Sequence, residues 1–157
     1  MKTPLPFTRL LLLCLVAALP PVFYACDKDE EDTSPTAAEL IKGSWKLNAV
    51  DISYYDAAGT LEHQERHEIT GVTYFFKDDS VIVYSVPDNG RTSATYRLSH
   101  MEGKDYVSVT NGTWEYLIIK LTENELIWHG KHPSKSYLKD SDWRSASSAT
   151  YTQEFSR

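Results

Sequence analysis

The sequence predicts an all-β fold, an eight-stranded antiparallel up-and-down barrel with a short N-terminal helix. Two observations carry this. After Gly43 no stretch keeps a helical period of apolar residues; short apolar runs alternate with turn signals instead. Those runs number eight, and eight sequential antiparallel strands can close on themselves and leave no exposed edge. A barrel of that size is either filled by side chains or holds one small ligand.

The helix is expected over Pro35 to Lys42. Thr36 can cap it, Glu39 sits in its first turn, and Leu40-Ile41 give it an apolar side. In the first strand Trp45, Leu47 and Ala49 share one face. The apolar frame then switches to Val50, Ile52 and Tyr54, a slip that marks a bulge or sharp bend. Thr73 to Phe76 and Val81 to Val86 flank a hairpin turn at Lys77–Ser80. Pro87-Asp88-Asn89-Gly90 is a second turn, Pro fixing φ and Gly allowing it to be positive. Thr92 to Ser99 turns through Glu102-Gly103-Lys104 into Tyr106 to Thr110, and Asn111-Gly112 is a two-residue hairpin signal. Trp114 to Leu121, Leu126 to His129 and Ala149 to Phe155 complete the set. Two long connections, 56–71 and 131–148, are expected as loops, and loops of that length are usually functional.

The N-terminus carries an address. Lys2 and Arg9 precede an apolar run from Leu10 to Leu19, and Ala25 precedes Cys26. This reads as a secretion signal over 1–25 that ends at a lipidated Cys26. The uncharged stretch, Leu10 to Cys26, is 17 residues and holds Pro20 and Pro21, too short and too broken for a spanning helix. It resembles the bacterial lipobox, with Phe23 and Tyr24 departing from the usual pattern. Asp27-Lys28-Asp29-Glu30-Glu31-Asp32 follows, similar to the acidic export signal of surface lipoproteins in the Bacteroidetes group. The expected organisation is therefore signal peptide 1–25, acidic flexible tether 26–37 and one barrel domain 38–157. The implied location is the outer membrane, lipid-anchored and exposed at the cell surface. Several acyl chains (palmitate-type) on Cys26 make such an anchor permanent, since one alone holds weakly.

Charge narrows the partners. The chain has 16 basic and 22 acidic residues, net −6; loss of residues 1–25 removes Lys2 and Arg9 and leaves −8. Phosphate binding needs clustered Lys and Arg, so nucleic acid is excluded as a partner. Of the two cysteines, Cys14 lies in the signal and Cys26 takes the lipid, so no disulfide is expected and the core must hold the domain.

The segment Leu40-Ile41-Lys42-Gly43-Ser44-Trp45-Lys46-Leu47, after a short helix, resembles the Gly-x-Trp opening of lipocalins. Tyr74-Phe75-Phe76-Lys77-Asp78-Asp79-Ser80-Val81 is similar to a hairpin of the bacterial lipocalin-like lipoproteins, without that hairpin's Gly. Trp114 to Leu126 is similar to their aromatic, Ile, Leu-Thr-x-Asn-x-Leu element. The resemblance implies that Trp45 packs in the barrel floor, that Gly43 lets the chain pass close by, and that Phe76 is core. It also implies an Arg against the floor Trp; Arg97, Arg144 and Arg157 are all candidates. The resemblance implies a fold more than a function, since most members have no known ligand.

Tyr74, Phe76, Tyr84, Tyr96, Tyr116, Trp128 and Tyr151 lie in or beside strands and are the candidate cavity-lining residues. Rings with hydroxyl handles suit a flat or amphipathic ligand, though ordinary cross-strand pairing uses the same residues. His63 and His67 with Glu62, Glu65 and Glu68 form a ligand-like group, but without HExxH order, and a solvated lid is expected rather than a metal site. Trp143, in the second long connection, is expected as a contact residue or a plug for one barrel end. No G-x-S-x-G elbow, phosphate-cradling glycine loop or CxxC appears, so no enzyme and no cofactor is expected. The expected function is a membrane-anchored lipocalin-like binding protein holding a small apolar or amphipathic ligand. The alternative is a non-enzymatic accessory lipoprotein with a filled barrel and a protein partner that the sequence does not name.

Overall fold

The computed structural model describes residues 35–109 and 114–157. The expected signal with Cys26, most of the expected tether and the expected Asn111-Gly112 turn lie outside the described residues. Helix α1 (Ala37–Leu40) is one turn long and lies within the expected Pro35–Lys42. The Glu39 carboxylate accepts from the Thr36 backbone N–H at 2.8 Å and from its hydroxyl at 2.9 Å, which satisfies a donor at the helix start.

Among the described residues nine strands follow: β1 (Gly43–Tyr55), β2 (Leu61–Glu68), β3 (Val72–Lys77), β4 (Ser80–Ser85), β5 (Gly90–Met101), β6 (Lys104–Val109), β7 (Trp114–Leu121), β8 (Glu125–Lys139) and β9 (Asp142–Ser156). Each of β3 to β9 pairs antiparallel with the next, and β9 returns to β1, with Leu47 opposite Phe155 and Ile52 opposite Tyr151. This is a closed eight-stranded antiparallel barrel built of β1 and β3–β9. β2 is the ninth strand. On the edge away from β9, β1 serves two neighbours in turn: Gly43–Lys46 pair with β3, while Ala49–Tyr55 pair with β2. The change of partner coincides with a register shift between Leu47 and Ala49 against β9. That bulge is where the apolar frame of the sequence slips.

The two long connections are not loops. Residues 61–68 form β2, and 131–148 belong to β8 and β9, which run on together as a long hairpin closed by Asp140-Ser141. Both turn residues have positive φ, 53° and 72°, the conformation of a tight two-residue hairpin. These segments hid from a periodicity reading because neither face is apolar. Every residue of β2 is at least partly exposed, and Arg66 ties it to Asp51 (2.6 Å) and Glu154 (2.8 Å). In the outer β8–β9 hairpin only Tyr137, Ala146 and Ala149 are buried, packing with Tyr54 as a small second core.

The main core fills one end of the barrel: Trp45, Leu47, Phe76, Val81, Tyr96, Val107, Leu126, Trp128 and Phe155, with Ile41 from the helix side. Both cores and all strands lie within the compact unit Pro35–Arg157. A chain of that length with its own core and a closed sheet is self-sufficient for folding.

Candidate functional site

The floor is organised around Trp45, which is fully buried. Its indole Nε1–H donates to the Ile41 carbonyl at 2.7 Å. Below it lies the Arg157 guanidinium, 4.4 Å from the Trp45 ring centre. Arg157 Nη2 also donates to the Leu40 and Lys42 carbonyls, both at 2.6 Å. Arg157 is therefore the floor arginine among the three candidates. Gly43 has φ +105°, and a Cβ there would meet only Arg157, at 3.9 Å. Its requirement is thus the backbone angle, not the close approach that the resemblance implied.

Above the floor the rings interlock. Phe76 meets Tyr96 edge-on at 5.0 Å, and the Tyr96 hydroxyl donates to the Asp78 carbonyl at 3.0 Å. Trp128 crosses the middle of the barrel. It meets Phe155 edge-on at 4.8 Å and stacks with Tyr116 at 5.0 Å, and its Nε1–H donates to Gln153. Phe76 and Tyr96 thus belong to the solid lower half.

Beyond Trp128 the barrel is hollow. A cavity of about 240 Å³, partly open to solvent, is walled by Tyr74, Val81, Val83, Thr92, Ala94, Val109, Trp114, Tyr116 and Trp128. These come from six consecutive strands, β3 to β8. None of the nine carries a charge at neutral pH. Burial pushes the Tyr116 phenol up to about 12 and raises that of Tyr74, with Gln153 opposing the latter shift. Both rings are therefore neutral hydroxyl donors. The Tyr116 hydroxyl makes no hydrogen bond to another described residue.

Tyr116 is held by an absence of side chain opposite it. It pairs in register with Gly130, and a Cβ at that position would lie 2.6 Å from the Tyr116 Cδ1. Only glycine lets the ring lie across the neighbouring strand. At the rim Trp114, 37% exposed, stacks on His132 at 3.8 Å, and His132 meets Tyr151 at 4.3 Å.

Of the seven aromatic candidates, Tyr74, Tyr116 and Trp128 stand around the cavity. Tyr84 does not: it is 40% exposed on the outer surface, with Arg91 over its ring. The alternation of β4 explains this, since Val81 and Val83 face inward and Tyr84 takes the opposite side. Tyr151 belongs beside the second core and the rim rather than to the cavity wall. The small residues that create the space, Thr92 and Ala94, carry no ring to mark them in the sequence. They share the inward frame of Tyr96, and that alternation was the available signal.

The acidic-histidine group on β2 is not a lid. His63 stacks on Tyr137 at 5.0 Å, His67 lies 3.3 Å from Glu65, and the Tyr54 hydroxyl donates to Glu65. Burial works to raise the Glu65 carboxyl, but bonds from Tyr54 and His67 outweigh it and hold the group below the usual 4.5. Among the described residues, no group of three or more His, Cys, Asp or Glu is placed to hold a metal ion. Trp143 is 76% exposed at the outer end of the β8–β9 hairpin, opposite Leu138, so it plugs neither barrel end.

The closed barrel agrees with a sequence comparison. A family model described as "Lipocalin-like domain" matches residues 41–128, more than half of the chain. The chain belongs to the lipocalin-like domain family. Among solved structures, a lipocalin-like protein from Bacteroides uniformis is similar at 15% identity. The match covers 74% of this chain and 96% of that one, with a TM-score of 0.38. No curated protein matches. Within this lipocalin-like barrel, the end beyond Trp128 is the candidate binding site.

Proposed function

We propose that this lipocalin-like protein is a membrane-anchored binding protein that holds a small apolar or amphipathic molecule in the upper half of its barrel. The observation that carries the reading is the uncharged cavity above Trp128. Apolar pockets with a few convergent polar groups are the usual form of small-molecule sites. The hollow weighs against the alternative, an accessory lipoprotein with a filled barrel. The reading assigns no catalytic role to any residue. The anchor rests on the sequence alone: Lys2 and Arg9 before Leu10–Leu19, then Ala25-Cys26 and five acidic residues among the next six.

The two halves are tested separately. Cells fed an alkyne fatty acid should label the wild-type protein and place it in the outer membrane, accessible to protease on intact cells. Cys26→Ser should lose both label and membrane retention; an unlabelled wild-type protein ends the anchor reading. For the cavity, purified protein should be stabilised against heat by at least one fraction of an apolar extract. Filling the hollow with Ala94→Phe should remove that stabilisation.

A further inference from the structure

The shape and chemistry of the cavity restrict what it can take. We propose that its ligand is an uncharged, flat molecule of one or two fused rings bearing a hydrogen-bonding group, and that long acyl chains and carboxylates are excluded. This rests on the binding reading above and narrows it.

Size is the first argument. The cavity holds about 240 Å³, below the roughly 300–1,000 Å³ of sites for drug-sized ligands. A hollow of that size suits one or two small rings rather than a larger molecule. A long acyl chain needs depth. Depth is denied here by Trp128, which crosses the barrel with Phe155 and Tyr74 packed edge-on against it.

Wall chemistry is the second. Tyr74, Trp114, Tyr116 and Trp128 supply rings, and Val83 and Ala94 supply flat aliphatic surface. A planar ring gains offset-stacked or edge-to-face contacts from such walls that a flexible chain does not. No lysine, arginine or histidine stands among the lining residues, so a carboxylate carried inside loses its water and gains no counter-charge.

The polar handle is the third. Tyr116 is neutral up to about pH 12 because burial disfavours its phenolate. Its hydroxyl bonds no other described residue. Its ring is fixed against Gly130 and Trp128, so the donor is positioned before any ligand arrives. Thr92 adds a further hydroxyl at the exposed rim.

The test is isothermal titration of the unit Pro35–Arg157 with 2-naphthol, 2-naphthoate and palmitate at neutral pH. Naphthol should bind. Naphthoate, with the same rings and a charge, should bind about tenfold or more weakly, and palmitate should neither bind nor displace naphthol. Ala94→Phe, which fills the space, should abolish naphthol binding. Tyr116→Phe, which keeps the ring, should weaken it roughly three- to tenfold, the worth of one hydrogen bond; a cooperative melt of each variant verifies folding. Tight binding of palmitate or naphthoate overturns the inference and leaves the general binding reading standing. Binding of none of the three overturns both.

Discussion

The guanidinium of Arg157 lies under the indole of Trp45, 4.4 Å from its centre, and the same side chain reaches the Leu40 and Lys42 carbonyls. One residue just past β9 thus seals the barrel floor and ties down the end of the helix and the segment that follows it. Leu40 ends the helix and Lys42 lies just past it, where carbonyls have no intrahelical partner, so a charged donor is worth more there than a neutral one. Arg157→Ala should cost about 2–3 kcal/mol, read as a shift in the urea midpoint with unchanged slope. Arg157→Lys should restore part only, because an ammonium cannot lie flat on the indole while bonding two carbonyls.

Gly130 should be intolerant for a different reason. Its backbone angle is ordinary, but an added methyl group would sit 2.6 Å from the Tyr116 ring. Gly130→Ala should therefore push Tyr116 off Trp128 and cost about 1–3 kcal/mol. The displaced ring should also weaken binding in the cavity. Gly130→Ala combined with Tyr116→Ala should recover stability relative to Gly130→Ala alone, and a double-mutant cycle in thermal melts measures that coupling.

Acid should destabilise the fold in two stages. Burial, aided by Lys135, holds the His132 imidazole below its usual 6.5. The unfolded chain then takes up this proton before the folded one. The stabilisation is complete above about pH 6.5 and declines as pH falls through the folded value. Glu154 is held below 4.5 by its bond to Arg66, and Glu39 by its bonds to Thr36, so their contributions persist above about pH 4.5 and are lost below it. Urea denaturation across pH 3.5 to 8 should show both declines. His132→Phe should flatten the upper one and leave the lower, whereas an unchanged upper branch in that variant contradicts the role given to His132.

How far the sequence revealed this molecule depends on which residues carry the apolar pattern. Trp45, Leu47 and Ala49 followed by Val50, Ile52 and Tyr54 located the bend in β1 because one face is buried and a slip exchanges the faces. The turns at Asp78-Asp79 and Glu102-Gly103 were legible because positive φ selects few residue types. β2 was not legible: Leu61-Glu62-His63-Gln64-Glu65-Arg66-His67-Glu68 alternates nothing apolar, and its place comes from ladder bonds to β1 and from Arg66. The cavity was half legible. Its rings are conspicuous in the sequence, but a hollow is made by what is small, and Thr92 and Ala94 carry no signal unless the inward frame of each strand is already known.

Ligand binding in this barrel requires a reachable apolar space above Trp128. Methyl NMR spectra of the unit Pro35–Arg157, recorded with and without dissolved xenon, address it most directly, since dry apolar cavities take up xenon. The valine methyls of Val81, Val83 and Val109 should shift together and saturate, while those of exposed Val86 should not. No saturable shift at the three wall valines, or shifts spread evenly over the surface, would contradict the existence of the site.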